Sequence, residues 1–286
     1  MKSGLAQQVQ PGTAICPGNR SAAAAVTPQL NFLLIGECRS AASAVVDLLN
    51  NHGAAVCHAG LFAPSVEQRR AAHENYFGPS LPRRPAWFCT GEREHECGKY
   101  SNPYEYIEFV LAAARLSERA VGLHMDYETI ARYQLYDLIS ALTARGDFCV
   151  VHLVRNPVAC LASREQAKES GYWVSYTGES LRYTPMAVLP TPHEVFEFVE
   201  RSCTVRDKVA AVASDAAEIH YQDLVRHFNR VAERLFQFLE LTPRRPVCRT
   251  RRLVTMPLQN RILNFEDLRR KSPSSQRHWF EVKEIA

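Results

Sequence analysis

The stretch Phe32-Leu33-Leu34-Ile35-Gly36-Glu37-Cys38-Arg39-Ser40-Ala41-Ala42-Ser43 decides the fold that this chain is expected to adopt. Its first four residues are a continuous apolar run that stops at Gly36. Such a run is typical of a strand buried on both faces of a parallel sheet. Residues 41–50 have helical composition, with apolar side chains at Val45, Val46, Leu48 and Leu49. The stretch therefore predicts a strand, a turn and a helix, in that order.

The same alternation of strands and helices continues along the chain. Further strands are predicted at residues 54–57, 120–124, 148–154 and 218–221. Helices are predicted at residues 127–145, 158–168, 192–213 and 224–239. The third of these helices begins with a capping box, Thr191-Pro192-His193-Glu194. This pattern indicates an α/β fold, a P-loop-like three-layer sandwich around a mostly parallel, doubly wound sheet.

The two ends of the chain differ in character. Residues 1–29 are rich in Gln, Gly, Pro, Ser and Ala without periodicity, so we expect a flexible N-terminal tail. The remainder, residues 30–286, is long enough for one large core and is expected to form a single domain. Within it, residues 64–104 are expected to form an irregular excursion with short helices.

Composition and charge exclude several classes of protein. With 46% hydrophobic and 22% charged residues, the chain has the composition of a soluble globular protein. A net charge of +4 suits an anionic ligand but is small for a nucleic-acid-binding protein. No apolar stretch is long enough to span a bilayer, and the N-terminus lacks a secretory signal. We therefore expect a cytoplasmic location, no membrane span and no nucleic-acid partner.

The nine cysteines contain no C-x-x-C pair. The segment that carries Cys89, His95 and Cys97 offers three possible zinc ligands and no clear fourth, so a polar surface loop is the better interpretation. The sequence therefore predicts no metal site.

The turn after the first strand has the properties of a phosphate-binding loop. The N-terminus of a helix presents free backbone N–H groups and a partial positive charge. Arg39 adds a bidentate donor, and Ser40 and Ser43 add hydroxyl donors. The candidate phosphate-binding residues are Gly36, Cys38, Arg39, Ser40, Ala41, Ala42 and Ser43.

This loop matches the nucleoside-triphosphatase pattern G-x-x-x-x-G-K-[ST] only in part. Gly36 and Ser43 fit, whereas Ala41 and Ala42 stand where the second Gly and the Lys would be. Since that Lys holds the transferred phosphoryl group, its absence argues against a triphosphatase or kinase.

A second candidate anion site follows the strand predicted at residues 148–154. Arg155 stands at the end of this strand, and Ser163 lies eight positions further on, in the helix that follows. Both residues can face the ligand edge of the sheet, where an Arg and a hydroxyl would bind a second phosphate.

With both sites in this order, the chain resembles the sulfotransferases that use 3′-phosphoadenosine-5′-phosphosulfate (PAPS). Among them it looks most similar to the rhizobial nodulation-factor sulfotransferases, from about residue 31 to residue 280. The resemblance includes Ile219-His220-Tyr221-Gln222-Asp223-Leu224, which is similar to a Tyr-Glu-Asp-Leu element of the family. The family's loop reads roughly G-x-x-R-S-G-T-T, so Ala41 and Ala42 depart from it.

This resemblance implies PAPS as co-substrate, no metal, and a hydroxyl or amine of a small natural product or glycan as acceptor. It implies that the loop at Arg39 binds the 5′-phosphosulfate and stabilises the leaving group. It also implies that Arg155 and Ser163 bind the 3′-phosphate, and that Tyr221 lies near the adenosine.

The resemblance leaves the catalytic base open among three residues. The position of His124, which ends a predicted strand, resembles that of the catalytic His of cytosolic sulfotransferases. Nodulation-type enzymes instead carry a Gly-Glu pair after the second strand, and here Gly60 stands where that Glu would be. His58 or Glu67 could substitute for it.

Two other functions stay open beside an active sulfotransferase. One is a catalytically degenerate relative that binds a nucleotide, and the other is an atypical P-loop kinase. The sequence carries no signal for the acceptor's identity or for the oligomeric state.

Overall fold

The computed structural model of the chain describes residues 30–59, 84, 85, 97, 98, 105, 107, 120–173, 186–250 and 256–281. The predicted N-terminal tail, most of residues 64–104 and the candidate base Glu67 lie outside these residues, so those predictions stay as they were. No helix in the described part of the chain has the length and apolar character needed to cross a membrane.

A five-stranded parallel sheet forms the centre of the fold. Its strands are β1 (Asn31–Gly36), β2 (Ala55–His58), β5 (Ala120–Asp126), β6 (Phe148–Val154) and β7 (Ala217–His220). They lie in the order β2-β5-β1-β6-β7, and every neighbouring pair is parallel. Two short strands, β3 (Arg84–Pro85) and β4 (Cys97–Gly98), pair separately. The predicted α/β fold is confirmed, with this sheet wholly parallel.

Helices cover both faces of the sheet. Within the described residues, the first seven in chain order are α1 (Ala42–Asn50), α2 (Tyr127–Tyr133), α3 (Tyr136–Ala144), α4 (Pro157–Ser170), α5 (Pro192–Val212), α6 (Tyr221–Arg226) and α7 (Phe228–Phe238). Three short helices follow: α8 (Leu258–Arg261), α9 (Phe265–Lys271) and α10 (His278–Glu281). Apolar residues of α1 and α7 pack on one face, and those of α2, α3 and α5 pack on the other.

The central strand β1 is buried on both faces, as its apolar run predicts. Leu33 and Ile35 join the core beneath α2, α3 and α5. Phe32 and Leu34 join the core beneath α1 and α7. Because successive side chains of a strand alternate, this continuous run serves both layers and places β1 at the middle of the sheet.

Two predicted helices are each divided into two. The helix predicted at residues 127–145 breaks at Gln134, which takes a left-handed conformation with φ 51° and ends α2. The helix predicted at residues 224–239 is interrupted at His227, whose φ of −132° lies outside the helical region. By contrast, the capping box of Thr191 and Glu194 is present as predicted.

We predict that Gly122 is required beside Phe32. A Cβ atom at Gly122 would lie 2.0 Å from Cε2 of the Phe32 ring, in a fully buried layer. Gly122→Ala should therefore lower the free energy of unfolding by about 1–3 kcal/mol, measured by chemical denaturation. Adding Phe32→Leu should recover part of this loss. A Gly122→Ala variant as stable as the wild type would contradict the packing described.

Candidate functional site

A cavity of about 500 Å³ opens at the carboxyl edge of the sheet. Its wall is built from the segments that follow β1, β5 and β6, together with α6 and the start of α7. The predicted site residues that line it are Cys38, Arg39, Ala41, Ala42, Ser43, His124, Arg155, Ser163 and Tyr221. Most of the residues that the sequence suggested for an anion site therefore share one cavity.

The sheet topology explains why the cavity forms here. Strands β1 and β6 are hydrogen-bonded neighbours. From β1 the chain continues toward β2 at one edge, and from β6 it continues toward β7 at the other. Segments that leave adjacent parallel strands in opposite directions create a crevice at their carboxyl ends.

The loop after β1 has an unusual backbone. Arg39 and Ala41 have φ values of 72° and 77°, in the left-handed region that favours glycine. The Ser40 N–H donates to the Glu37 carbonyl over 3.0 Å, and the Ala44 and Val45 amides donate to the Ala41 carbonyl. This geometry turns the chain directly into α1, whose first two amides, those of Ala42 and Ser43, have no acceptor inside the helix.

Gly36 and Ser40 pack closely against each other inside this turn. A Cβ atom at Gly36 would lie 2.6 Å from Ser40 Oγ and 2.8 Å from Leu153 Cβ. Ser40 is buried. Neither residue is among the described residues that line the cavity, so their contribution is to the shape of the loop.

Glu37 holds the loop in place, a role that the sequence did not indicate. Its carboxylate accepts the Cys38 N–H over 2.8 Å and the hydroxyl of Ser202 in α5. Burial raises the pKa of Glu37, and these two hydrogen bonds oppose that increase. A carboxylate at this point of the chain has no periodic signal, so only the tertiary structure identifies its partners.

The two predicted anion sites are joined by direct hydrogen bonds. Nη1 of Arg155 donates to the Arg39 carbonyl over 2.7 Å. Nε of Arg39 donates to Ser163 Oγ over 3.1 Å, and its Nη1 donates to the Trp173 carbonyl. The structure therefore brings Arg39, Arg155 and Ser163 into one polar cluster.

The ring of Tyr221 packs against this cluster. The guanidinium carbon of Arg155 lies 3.8 Å from the centroid of the Tyr221 ring, a close cation–π contact. Tyr221 is buried at the start of α6 and lines the cavity. An aromatic ring is thus fixed next to the positive end of the site.

His124 and Asp126 line the cavity from β5. Burial lowers the pKa of His124, and the nearby charge of Asp126 opposes this decrease. Among the described residues, Nε2 of His124 is buried without a hydrogen-bond partner. Asp126 was missed by the sequence analysis, which ended the strand two residues earlier.

The candidate base His58 does not join this site, and Glu67 lies outside the described residues. His58 shares the sheet face of Val56 and Leu123, which is opposite to the face of His124. It is not among the described residues that line the cavity, and burial lowers its pKa to about 4. His152 in β6 is also buried, with Nε2 2.6 Å from Tyr127 Oη.

Comparisons with known proteins identify structural similarity alone. No family model matches the chain, and no curated protein matches it. The chain is structurally similar to bacterial sulfotransferases. A sulfotransferase from Alicyclobacillus acidocaldarius has 16% identity and a TM-score of 0.44 over 76% of this chain and 84% of that one.

Two sulfotransferase domains give similar values. The domain from the Synechococcus PCC 7002 olefin synthase has 12% identity and a TM-score of 0.44, over 76% of this chain and 75% of that one. The domain from the curacin biosynthetic pathway has 13% identity and a TM-score of 0.40, over 75% of each chain. At these low values, the function has to be inferred from the site itself.

The positive φ of Ala41 predicts a stabilising substitution. A left-handed alanine costs about 1–2 kcal/mol, whereas glycine adopts this conformation freely at some cost in unfolded-state entropy. Ala41→Gly should therefore raise the free energy of unfolding by roughly 0.5–1 kcal/mol. Ala210→Gly, at an exposed position inside α5, is the matched control and should lower it by about 1 kcal/mol. Equal losses in both variants would contradict the loop geometry.

Proposed function

We propose that this chain is a PAPS-dependent sulfotransferase that transfers a sulfuryl group to a hydroxyl or amine of a small natural product or glycan. The observation that carries the proposal is the hydrogen bond from Arg155 to the Arg39 carbonyl. It joins two separate anion-binding elements inside one cavity, and PAPS carries phosphate groups at two separate positions of one nucleoside.

Each end of the donor has a suitable set of groups. The amides at the start of α1 and the Arg39 guanidinium suit the 5′-phosphosulfate. Arg155 and Ser163 suit the 3′-phosphate, and the Tyr221 ring offers an apolar surface to the nucleoside. A volume of about 500 Å³ lies within the range of sites for ligands of this size.

His124 is the base in this proposal. As the acceptor oxygen or nitrogen bonds to sulfur, its proton passes to the His124 imidazole. The bond between sulfur and the bridging phosphate oxygen breaks, and adenosine 3′,5′-bisphosphate leaves with its charge stabilised by Arg39 and the loop amides. Because burial lowers the pKa of His124, the imidazole is neutral and able to accept a proton near pH 7.

Aromatic side chains near the cavity bear on the class of acceptor. Trp173 lines the cavity and is exposed, as is its chain neighbour Tyr172, and aromatic rings of this kind suit a sugar or another ring.

A degenerate nucleotide-binding protein is the second candidate. The observation in its favour is Ala42, which lines the cavity without a side-chain donor where the family pattern has Thr. An atypical kinase is less consistent with the cavity, because no Lys stands at this position.

We predict that Arg155→Ala weakens the binding of adenosine 3′,5′-bisphosphate by about 10- to 100-fold in calorimetry, through loss of a charged donor. Arg145→Ala is the matched control, because Arg145 lies just before β6, at the opposite edge of the sheet. This control should bind like the wild type. A wild-type protein that ignores this nucleotide but consumes ATP would contradict the proposal and favour a kinase.

We further predict that His124→Gln abolishes transfer of labelled sulfate from PAPS into a metabolite extract. The variant should still bind adenosine 3′,5′-bisphosphate within about twofold of the wild type, since removing a base affects the proton transfer and not donor binding. Full transfer activity in His124→Gln would exclude His124 as the base. A wild type that binds the nucleotide but transfers no sulfate to a broad range of extracts favours the degenerate relative.

A further inference from the structure

Asp126 and His124 share one face of β5. They are two residues apart on a strand, so their side chains project from the same side of the sheet. The intervening Met125, with Leu123 and Val121, packs into the core on the other side. Both His124 and Asp126 line the candidate donor cavity.

The Asp126 carboxylate is held in a defined place. It is the N-cap of α2, and its Oδ1 accepts the Thr129 N–H over 2.7 Å. In the sheet register Asp126 is paired with Gly36, the last residue of β1, which the candidate phosphate-binding loop follows. The carboxylate is therefore fixed at the junction of β5, β1 and the loop.

The other charged groups of this cavity wall are engaged elsewhere. The Glu37 carboxylate bonds to Cys38 and Ser202, and the Arg39 guanidinium bonds to Ser163 and Trp173. Arg155 bonds to the Arg39 carbonyl and lies over Tyr221.

Two further ionisable groups of the cavity, Arg261 and Cys38, do not supply a negative charge beside His124. Arg261 bonds to Gln166 and Ala159 within the protein. Cys38 is a half-buried thiol whose pKa is raised to about 12 by burial, so it carries no charge near neutral pH. Among the described residues that line the cavity, Asp126 is therefore the acidic residue that lies on the same strand and the same sheet face as His124.

We propose that Asp126 is a positioning residue for His124, whose carboxylate stabilises the imidazolium formed when His124 takes the proton of the acceptor. This inference rests on the proposed function, in which His124 is the base. The acceptor's O–H or N–H bond breaks and the proton joins the imidazole, so one positive charge appears beside one fixed negative charge. The proton later passes to water.

The proposed pairing predicts the direction in which the pKa of His124 changes when Asp126 is replaced. The Asp126 charge favours the protonated imidazole, so it acts against the decrease in pKa that burial causes. Removing that charge should lower the pKa of His124 further. A weaker base takes the proton less readily, so the transfer rate should fall about tenfold or more, and the acidic limb of the pH–rate profile should move to lower pH.

The test is a titration of ¹³C-labelled histidine by NMR in the full-length protein, with the His124 signal assigned by its loss in His124→Gln. Asp126→Asn removes the charge and keeps a good N-cap, so α2 should stay folded. We expect the titration midpoint of His124 to move to lower pH in this variant and to stay near the wild-type value in Asp126→Glu. Asp137→Asn, which removes an exposed charge from α3, is the control and should leave it unchanged.

The outcomes separate this inference from the proposed function. An unchanged His124 midpoint in Asp126→Asn would overturn the pairing, even if the wild type binds adenosine 3′,5′-bisphosphate. Failure of the wild type to bind that nucleotide would overturn the donor site while leaving the titration result intact. If Asp126→Asn does not fold, Asp126→Ser, which also caps a helix without charge, gives the same comparison.

Discussion

The hydrogen bond between Arg155 and the Arg39 carbonyl is the contact on which the candidate site depends. It is possible because β1 and β6 are adjacent, so the segments that follow them leave the sheet side by side. The same contact fixes the Arg39 peptide, which lies in a left-handed turn that a non-glycine residue adopts at some cost. Glu37 secures the other side of the turn through Ser202 in α5. A short loop is thereby held between two layers of the fold.

The resulting cavity is electrically asymmetric. Arg39, Arg155 and Ser163 form its positive end, beside the ring of Tyr221. Asp126 lies at the end formed by β5, next to the partly buried His124. The proposed reaction needs opposite environments for its anionic donor and for an acceptor that gives up a proton, and groups of both kinds line one cavity of about 500 Å³.

Much of the fold could be predicted from sequence because its signals are local. The apolar run of β1, the capping box at Thr191 and the strand before Arg155 each depend on neighbouring residues alone. The two breaks, at Gln134 and His227, could not be predicted, since neither residue is a strong helix breaker and the breaks belong to the tertiary structure. Helix boundaries of this kind depend on what packs around them.

The site was predictable in part for the same reason. Candidate anion-binding groups follow strands at recognisable points, so the cluster of Arg39, Arg155 and Ser163 could be named in advance. His58 illustrates the limit, because the face of a strand on which a residue lies depends on its register within the sheet. Glu37 bonds to Ser202, which is distant in sequence, so nothing in the local pattern marks its role. Asp126 is a local N-cap, but its place in the cavity depends on β5 extending two residues beyond the predicted strand.

The most direct measurement is a crystal structure of the protein with adenosine 3′,5′-bisphosphate. The account predicts one phosphate at the amides of α1 and the Arg39 guanidinium, and the other between Arg155 and Ser163, with the nucleoside beside Tyr221. A nucleotide bound outside this cavity, or one whose phosphates both lie away from Arg155, would contradict it.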